Sequence, residues 1–227
     1  HIDQGVVQQA PVLYRDRLVV ATEKGYLYLL QAGNGQVIWG RPLGLGLGAP
    51  MPSNEQIFVS TGRLLSALDM GSGTVNWEFE AASRLTTRPA VFGDLLLVGT
   101  ERGVLYALRQ SDGQEQWRTQ LGGALNAAPA VSDAIFVVDR SGGVTALSPD
   151  GRQALWHVDV GAAINATPLL ADGKLLVGAS NGLLYALDAG DGRELARIQL
   201  GGSIDSSSAL GEGLIYVRAD QIYALGS

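Results

Sequence analysis

Short apolar runs recur along the whole chain, and glycine-bearing polar pairs close them. Lys174-Leu175-Leu176-Val177-Gly178-Ala179 ends at Asn181-Gly182, and Leu183-Leu184-Tyr185-Ala186-Leu187-Asp188 ends at Gly190-Asp191-Gly192. Such runs are too short for helices and too apolar for loops, so they read as buried or half-buried strands. The Asn-Gly and Asp-Gly pairs supply the positive φ that tight hairpin turns demand. From Ala166 to Leu200 the pattern predicts four strands: Ala166–Leu170, Lys174–Ala179, Leu183–Asp188 and Glu194–Leu200. No apolar period of 3.6 extends beyond a single turn, so no helix is predicted.

This unit repeats. Pro11, Pro50, Pro89, Pro129 and Pro168 stand 39, 39, 40 and 39 residues apart, and the next step of 40 lands on Ser208. Trp39, Trp77, Trp117 and Trp156 keep the same period, with Ala196 at the fifth position. Four short strands per ~40 residues is the arithmetic of a propeller blade. A lone blade cannot bury both faces, so it must stack on neighbours.

The predicted fold is therefore all-β: a six-bladed β-propeller of four-stranded antiparallel blades in one domain. Its repeats run over residues 8–47, 48–85, 86–126, 127–165, 166–205, and 206–227 joined by 1–7. The last repeat stops just after a third strand, Gln221 to Leu225, whereas the segment from Ile2 to Val7 resembles Ile198 to Gly202. The amino-terminal strand is thus expected to complete the carboxyl-terminal blade, leaving no open sheet edge.

Composition narrows the chemistry. The chain has 227 residues, 31 glycines and no cysteine, with 17% charged residues and a net charge of -6. That acidic balance argues against nucleic acid as partner. No apolar run approaches the ~18 residues of a membrane helix, so no membrane insertion is expected within the chain. Without cysteine there is no disulfide, thiol nucleophile or thiolate metal site. His1 is terminal, and His157 follows Trp156 on an outer strand, so neither suits a catalytic base. Gly44-Leu45-Gly46-Leu47-Gly48 precedes no helix and reads as a strand connection rather than a phosphate loop. The Asp-Gly turns, such as Asp188 to Gly192, are too short for a calcium cage.

The residues also carry a family resemblance. Ala67-Leu68-Asp69-Met70-Gly71-Ser72-Gly73-Thr74-Val75-Asn76-Trp77 resembles the tryptophan-docking repeat of quinoprotein-type (PQQ-like repeat) propellers, Ala-x-Asp-x-x-Thr/Ser-Gly-x-x-x-Trp. Gly103 to Leu108 and Gly182 to Asp188 are similar to the family's strand signature. The resemblance covers nearly the whole chain and implies that Trp39, Trp77, Trp117 and Trp156 dock each blade on the next. Gln31, Arg109 and Ser148 depart from the motif's Asp, and Ala196 departs from its Trp, so the seam beside Ala196 is expected to be the least well docked.

The family includes pyrroloquinoline-quinone dehydrogenases, BamB-like outer-membrane assembly scaffolds, and extracytoplasmic sensor domains of bacterial kinases. Short connections, and the lack of cysteine and of a suitable histidine, place this chain with the non-enzymatic branch. That branch implies no cofactor, no metal and no catalytic residue. The resemblance implies an extracytoplasmic scaffold or sensor that binds a protein segment or small ligand. A tether, if present, would lie outside this chain, which starts at His1 and reads as a processed or excised domain. A quinone- and calcium-dependent dehydrogenase, and a structural spacer or oligomerising domain, are the alternatives.

In a propeller the fourth-to-first and second-to-third connections open on one face, where binding residues tend to lie. The candidate binding residues there are Arg63, Arg88, Arg102, Arg140, Asn126, Asn165, Asp205 and Asp220. Arginines gather on one half of this rim and acids on the other.

Overall fold

The structure is a computed structural model that describes residues 5–7 and 9–226. Among these there is no helix, and the strands form six antiparallel sheets in chain order. The first blade contains β1 (Val12–Tyr14), β2 (Arg17–Ala21), β3 (Tyr26–Gln31) and β4 (Val37–Pro42). The second contains β5 (Met51–Ser53), β6 (Gln56–Thr61), β7 (Leu64–Asp69) and β8 (Val75–Glu80). The third contains β9 (Ala90–Phe92), β10 (Leu95–Gly99), β11 (Val104–Arg109) and β12 (Glu115–Gln120). The fourth contains β13 (Ala130–Val131), β14 (Ile135–Val138), β15 (Gly143–Leu147) and β16 (Ala154–Asp159). The fifth contains β17 (Leu169–Ala171), β18 (Lys174–Gly178), β19 (Leu183–Asp188) and β20 (Glu194–Gln199). The sixth has β21 (Ala209–Gly211), β22 (Leu214–Arg218) and β23 (Ile222–Gly226). This is a six-bladed propeller.

Half of the predicted closing strand at residues 2–7, namely residues 2–4, lies outside the described residues. Within them, Val7 forms a bridge with Thr22, between β2 and β3, and the Val6 carbonyl accepts the Glu23 amide. The described part of the sixth sheet has three strands.

The middle strands of the first five blades are largely buried on both faces, and successive blades share cores. Val19, Leu27 and Leu29 of the first blade meet Ile57, Val59 and Leu68 of the second. Phe58, Leu65 and Trp77 meet Leu96, Val98 and Tyr106 across the next seam. Equivalent cores join the third blade to the fourth, the fourth to the fifth and the fifth to the sixth. A further cluster of Val20, Tyr28 and Leu30 draws all its described members from the first blade. Period-2 alternation sends Val19 to one seam and Val20 to the other, so a strand flanked by two blades reads as a continuous apolar run.

The tryptophans sit where each fourth strand reaches its neighbour. The Trp39 Nε1 donates to the Met70 carbonyl at 2.9 Å, Trp77 Nε1 to Gln110 at 2.8 Å, and Trp156 Nε1 to Ala189 at 3.0 Å. Each ring, and that of Trp117, covers a turn glycine of the following blade: Gly73, Gly113, Gly151 and Gly192. A Cβ at any of these would come under 3.0 Å from the indole, and all four have positive φ. Glycine is therefore required there twice, by conformation and by approach. Among the described residues two seams lack the plug. Ala196 stands at the plug position of β20, which is exposed along its length, and at the closing seam the turn glycine of the first blade, Gly35, has no described neighbour within 4 Å of a Cβ.

A β-bulge follows the paired position of every plug. Register shifts occur after Leu29, Ala67, Ala107, Ala146 and Ala186, the partners of Trp39, Trp77, Trp117, Trp156 and Ala196. A bulge bends a strand and adds twist, which turns the outer edge of the blade toward the neighbouring turn. The tyrosines of the strand signature tie down the other end: Tyr106 Oη accepts the Ala82 amide, and Tyr185 Oη donates to the Val160 carbonyl.

Candidate functional site

The fourth-to-first connections and second-to-third turns lie together on one face. Their backbones are bonded to each other: the Glu101 amide donates to Arg84 O, Arg140 N to Ala124 O, and Ser180 N to Ala163 O. These bonds fix the rim to the rigid inner strands. At its centre is a cavity of about 740 Å³ whose wall runs from Gln9, before β1, around to Ser207, before β21. All six blades thus contribute to one opening.

The cavity wall brings together four of the eight candidate residues: Arg88, Asn126, Arg140 and Asn165. It adds Arg84 and Glu101. Arg63 is engaged elsewhere, ion-paired with Glu80 across the β7–β8 hairpin. The Arg102 carbonyl accepts from Gln120, and its side chain does not line the cavity. Asp205 accepts from Asn165 Nδ2 at 3.0 Å and lines a separate recess with Ser203 and Arg218. Asp220 accepts the Tyr223 hydroxyl at 2.8 Å.

The electrostatics of the wall are uneven. Arg84, Arg88 and Arg140 form no ion pair with any described residue, whereas Arg15, Arg109 and Arg193 on the outer surface are each paired with a carboxylate. Arg88 keeps contact with water but is flanked closely enough that desolvation pulls its pKa below the ordinary value; its Nη2 lies 3.4 Å from Met51 Sδ. A guanidinium remains charged even so. The cavity therefore presents three unneutralised cations and one acid, Glu101, in a protein whose net charge is -6.

Hydrogen bonds within and between neighbouring blades brace this wall. Thr86 Oγ1 donates to Leu125 O, Thr87 Oγ1 accepts the Gly99 amide at 2.8 Å, and the Thr167 amide donates to Ser207 Oγ at 3.2 Å. Behind Arg140, Asp139 is buried and accepts the amides of Gly123, Ser141 and Gly143 at 3.2, 2.7 and 3.1 Å. Asp139→Ala strands these donors. It is expected to cost about 1.5–3 kcal/mol, on the scale of hydrogen bonds to a charged group, read as a lower urea midpoint. A midpoint within error of the parent would show that the loop keeps its shape without the carboxylate.

The opposite face carries the Asp-Gly turns. Asp69 accepts the Ser72 hydroxyl at 2.7 Å and its amide at 2.8 Å, and these bonds hold its carboxyl below the ordinary 3.8. Asp150 is lowered likewise, first by the Ser148 hydroxyl. Where the motif's Asp is missing, another pair closes the turn, as Arg109 does with Asp112 at 2.8 Å. A depressed folded pKa adds stability above the unfolded value, and this is lost as pH falls through the folded one. The Cγ resonances of Asp69 and Asp150 should therefore titrate below pH 3.8, and midpoints at or above it would contradict the turn bonds.

His157 lies on the outer strand, where Nδ1 is 2.9 Å from Thr145 Oγ1. Among the described residues no three His, Cys, Asp or Glu side chains converge as a metal-holding group. With Glu101 as its one carboxylate, the cavity wall is a poor match to the oxygen cage of a calcium-anchored quinone.

The family model described as outer membrane protein assembly factor BamB matches residues 2–83, 60–148 and 140–225. This chain belongs to the BamB family. BamB of Legionella pneumophila (strain Paris) is 30% identical over 144 residues, covering 63% of this chain and 38% of the relative. The matched region is thus well under two thirds of that relative's length. Among solved structures, BamB from Moraxella catarrhalis superposes with a TM-score of 0.66 at 17% identity, over 97% of this chain and 85% of the other. The quinohemoprotein alcohol dehydrogenase of Comamonas testosteroni gives 0.81 at 14% identity, over 95% and 52%. At such identities the structural likenesses show the fold alone.

Proposed function

We propose that the chain is a non-catalytic interaction module of the BamB type, acting outside the cytoplasm in outer membrane protein assembly. The loop face binds a segment of a protein partner there. The observation that carries this reading is the family match along residues 2–225, joined to a propeller whose polar cavity collects residues from every blade junction. The described side chains offer cations and hydrogen-bonding groups at that cavity, and no nucleophile–base pair. Among the described residues no helix is long and apolar enough to cross a membrane. In this reading Arg88, Asn126, Arg140 and Asn165 contact the partner, while Trp39, Trp77, Trp117 and Trp156 keep the platform rigid.

Deleting the gene in its own host tests the proposal. Outer membrane proteins are expected to fall in steady-state amount and to recover when the full-length protein is restored. Unchanged levels in the deletion strain would overturn the assembly role.

A further inference from the structure

We infer that the central cavity is a carboxylate-recognition site that takes an acidic stretch of polypeptide. The inference rests on the interaction-module reading and gives its site a ligand chemistry. Arg84 and Arg88, between β8 and β9, and Arg140, on the β14–β15 turn, line one wall and have no carboxylate partner among the described residues. The Asn126 side-chain amide likewise makes no hydrogen bond to any described residue. On the outer surface Arg15, Arg109, Arg118, Arg193 and Arg197 each pair with a carboxylate; Arg41, Arg102, Arg152 and Arg218 pair with none among the described residues, but only the cavity gathers three unpaired arginines on one wall. Three like charges held on rigid loops repel one another, and an incoming carboxylate relieves that repulsion while forming charge-assisted, often bidentate, bonds.

The occupant is a polypeptide rather than a small molecule because of the wall. Small-ligand pockets are mostly apolar and enclose most of their ligand. This cavity is open and is faced by Thr86, Thr167, Ser207 and two asparagines. Such groups suit a chain that offers amides and carbonyls along its length. Glu101 supplies the counter-selection: it repels a second carboxylate on its side and limits where acids can sit.

A fluorescent glutamate-rich peptide tests the inference by anisotropy on the full-length protein. Binding is expected, weakening as salt rises, and absent for the glutamine version of the same peptide. Replacing Arg84→Gln, Arg88→Gln and Arg140→Gln together should weaken binding by about tenfold or more. The charge-matched set Arg15→Gln, Arg109→Gln and Arg193→Gln should leave it unchanged. No binding, or equal loss in the two variants, would overturn the site. Free glutarate competing as tightly as the peptide would overturn the polypeptide as its source.

Should the cavity variant lose its strand signal in circular dichroism, a photo-reactive peptide on the parent protein decides instead. Labelling of the cavity wall supports the site, and labelling confined to the outer strands overturns it. A failed peptide assay beside a positive gene-deletion phenotype would remove this inference and leave the assembly role standing.

Discussion

Trp77→Ala is expected to lower the free energy of unfolding by about 3–5 kcal/mol, the range for truncating a buried large aromatic. Trp77 is 9% exposed, packs on Phe58 with ring centroids 5.8 Å apart, and donates to the Gln110 carbonyl. Truncation opens a cavity between the second and third blades and leaves a carbonyl at the seam without its donor. The other three plugs are less buried, so Trp77 should be the costliest of the four. Equilibrium urea unfolding followed by far-UV circular dichroism measures the difference. A loss within about 0.5 kcal/mol, the scale of ordinary surface changes, would mean that the blades are joined by their inner strands alone.

The platform matters to the site because stacked repeats gain much of their stability at the interfaces. Arg84, Arg88 and Glu101 hang on the same second-to-third seam that Trp77 plugs. Loss of the plug should loosen their loops while the fourth blade, carrying Arg140, stays docked. A weakened peptide response in Trp77→Leu, with the strand content kept, would show that the rim depends on the seam beneath it.

The proline and tryptophan periods and the Gly-bearing turns disclose blade number and strand order, because each is a local requirement of φ or of ring packing. The predicted strands Leu183–Asp188 and Glu194–Leu200 nearly coincide with β19 and β20 for that reason. The bulges are not disclosed: no residue type marks them, and they arise from the twist that brings Trp39 to Gly73. They shift the register of each of the five described fourth strands. That shift brings Leu64 opposite Glu80, which allows Arg63 to pair away from the cavity.

Arg84 escapes sequence reading for a related reason. It precedes Leu85, whose bridge to Thr100 turns the connection inward, and only the folded loop shows that turn. One signal was available. Leu47, Leu85, Leu125, Ile164 and Ile204 recur as buried apolar residues shortly before the anchors Pro50, Pro89, Pro129, Pro168 and Ser208. Residues flanking that anchor face the channel.

Gly113→Ala should be strongly destabilising. The position has φ +72°, where an L-residue is disfavoured by about 1–2 kcal/mol. The added Cβ would also collide with the Trp77 ring, and overpacking of this kind costs about 1–3 kcal/mol. Together these predict a loss of about 2–5 kcal/mol, in contrast to Gly93→Ala, whose φ of +60° is similar but whose Cβ would meet open space. The Gly93 variant isolates the conformational part. The difference between the two isolates the collision, and that difference should shrink in a Trp77→Leu background, because the ring that causes it is gone. Such coupling between neighbours is what a double-mutant cycle reads. If the Gly113 penalty were the same with and without the indole, the plug-and-turn contact would not be what holds these blades in register, and the stiffness inferred for the rim would need another source.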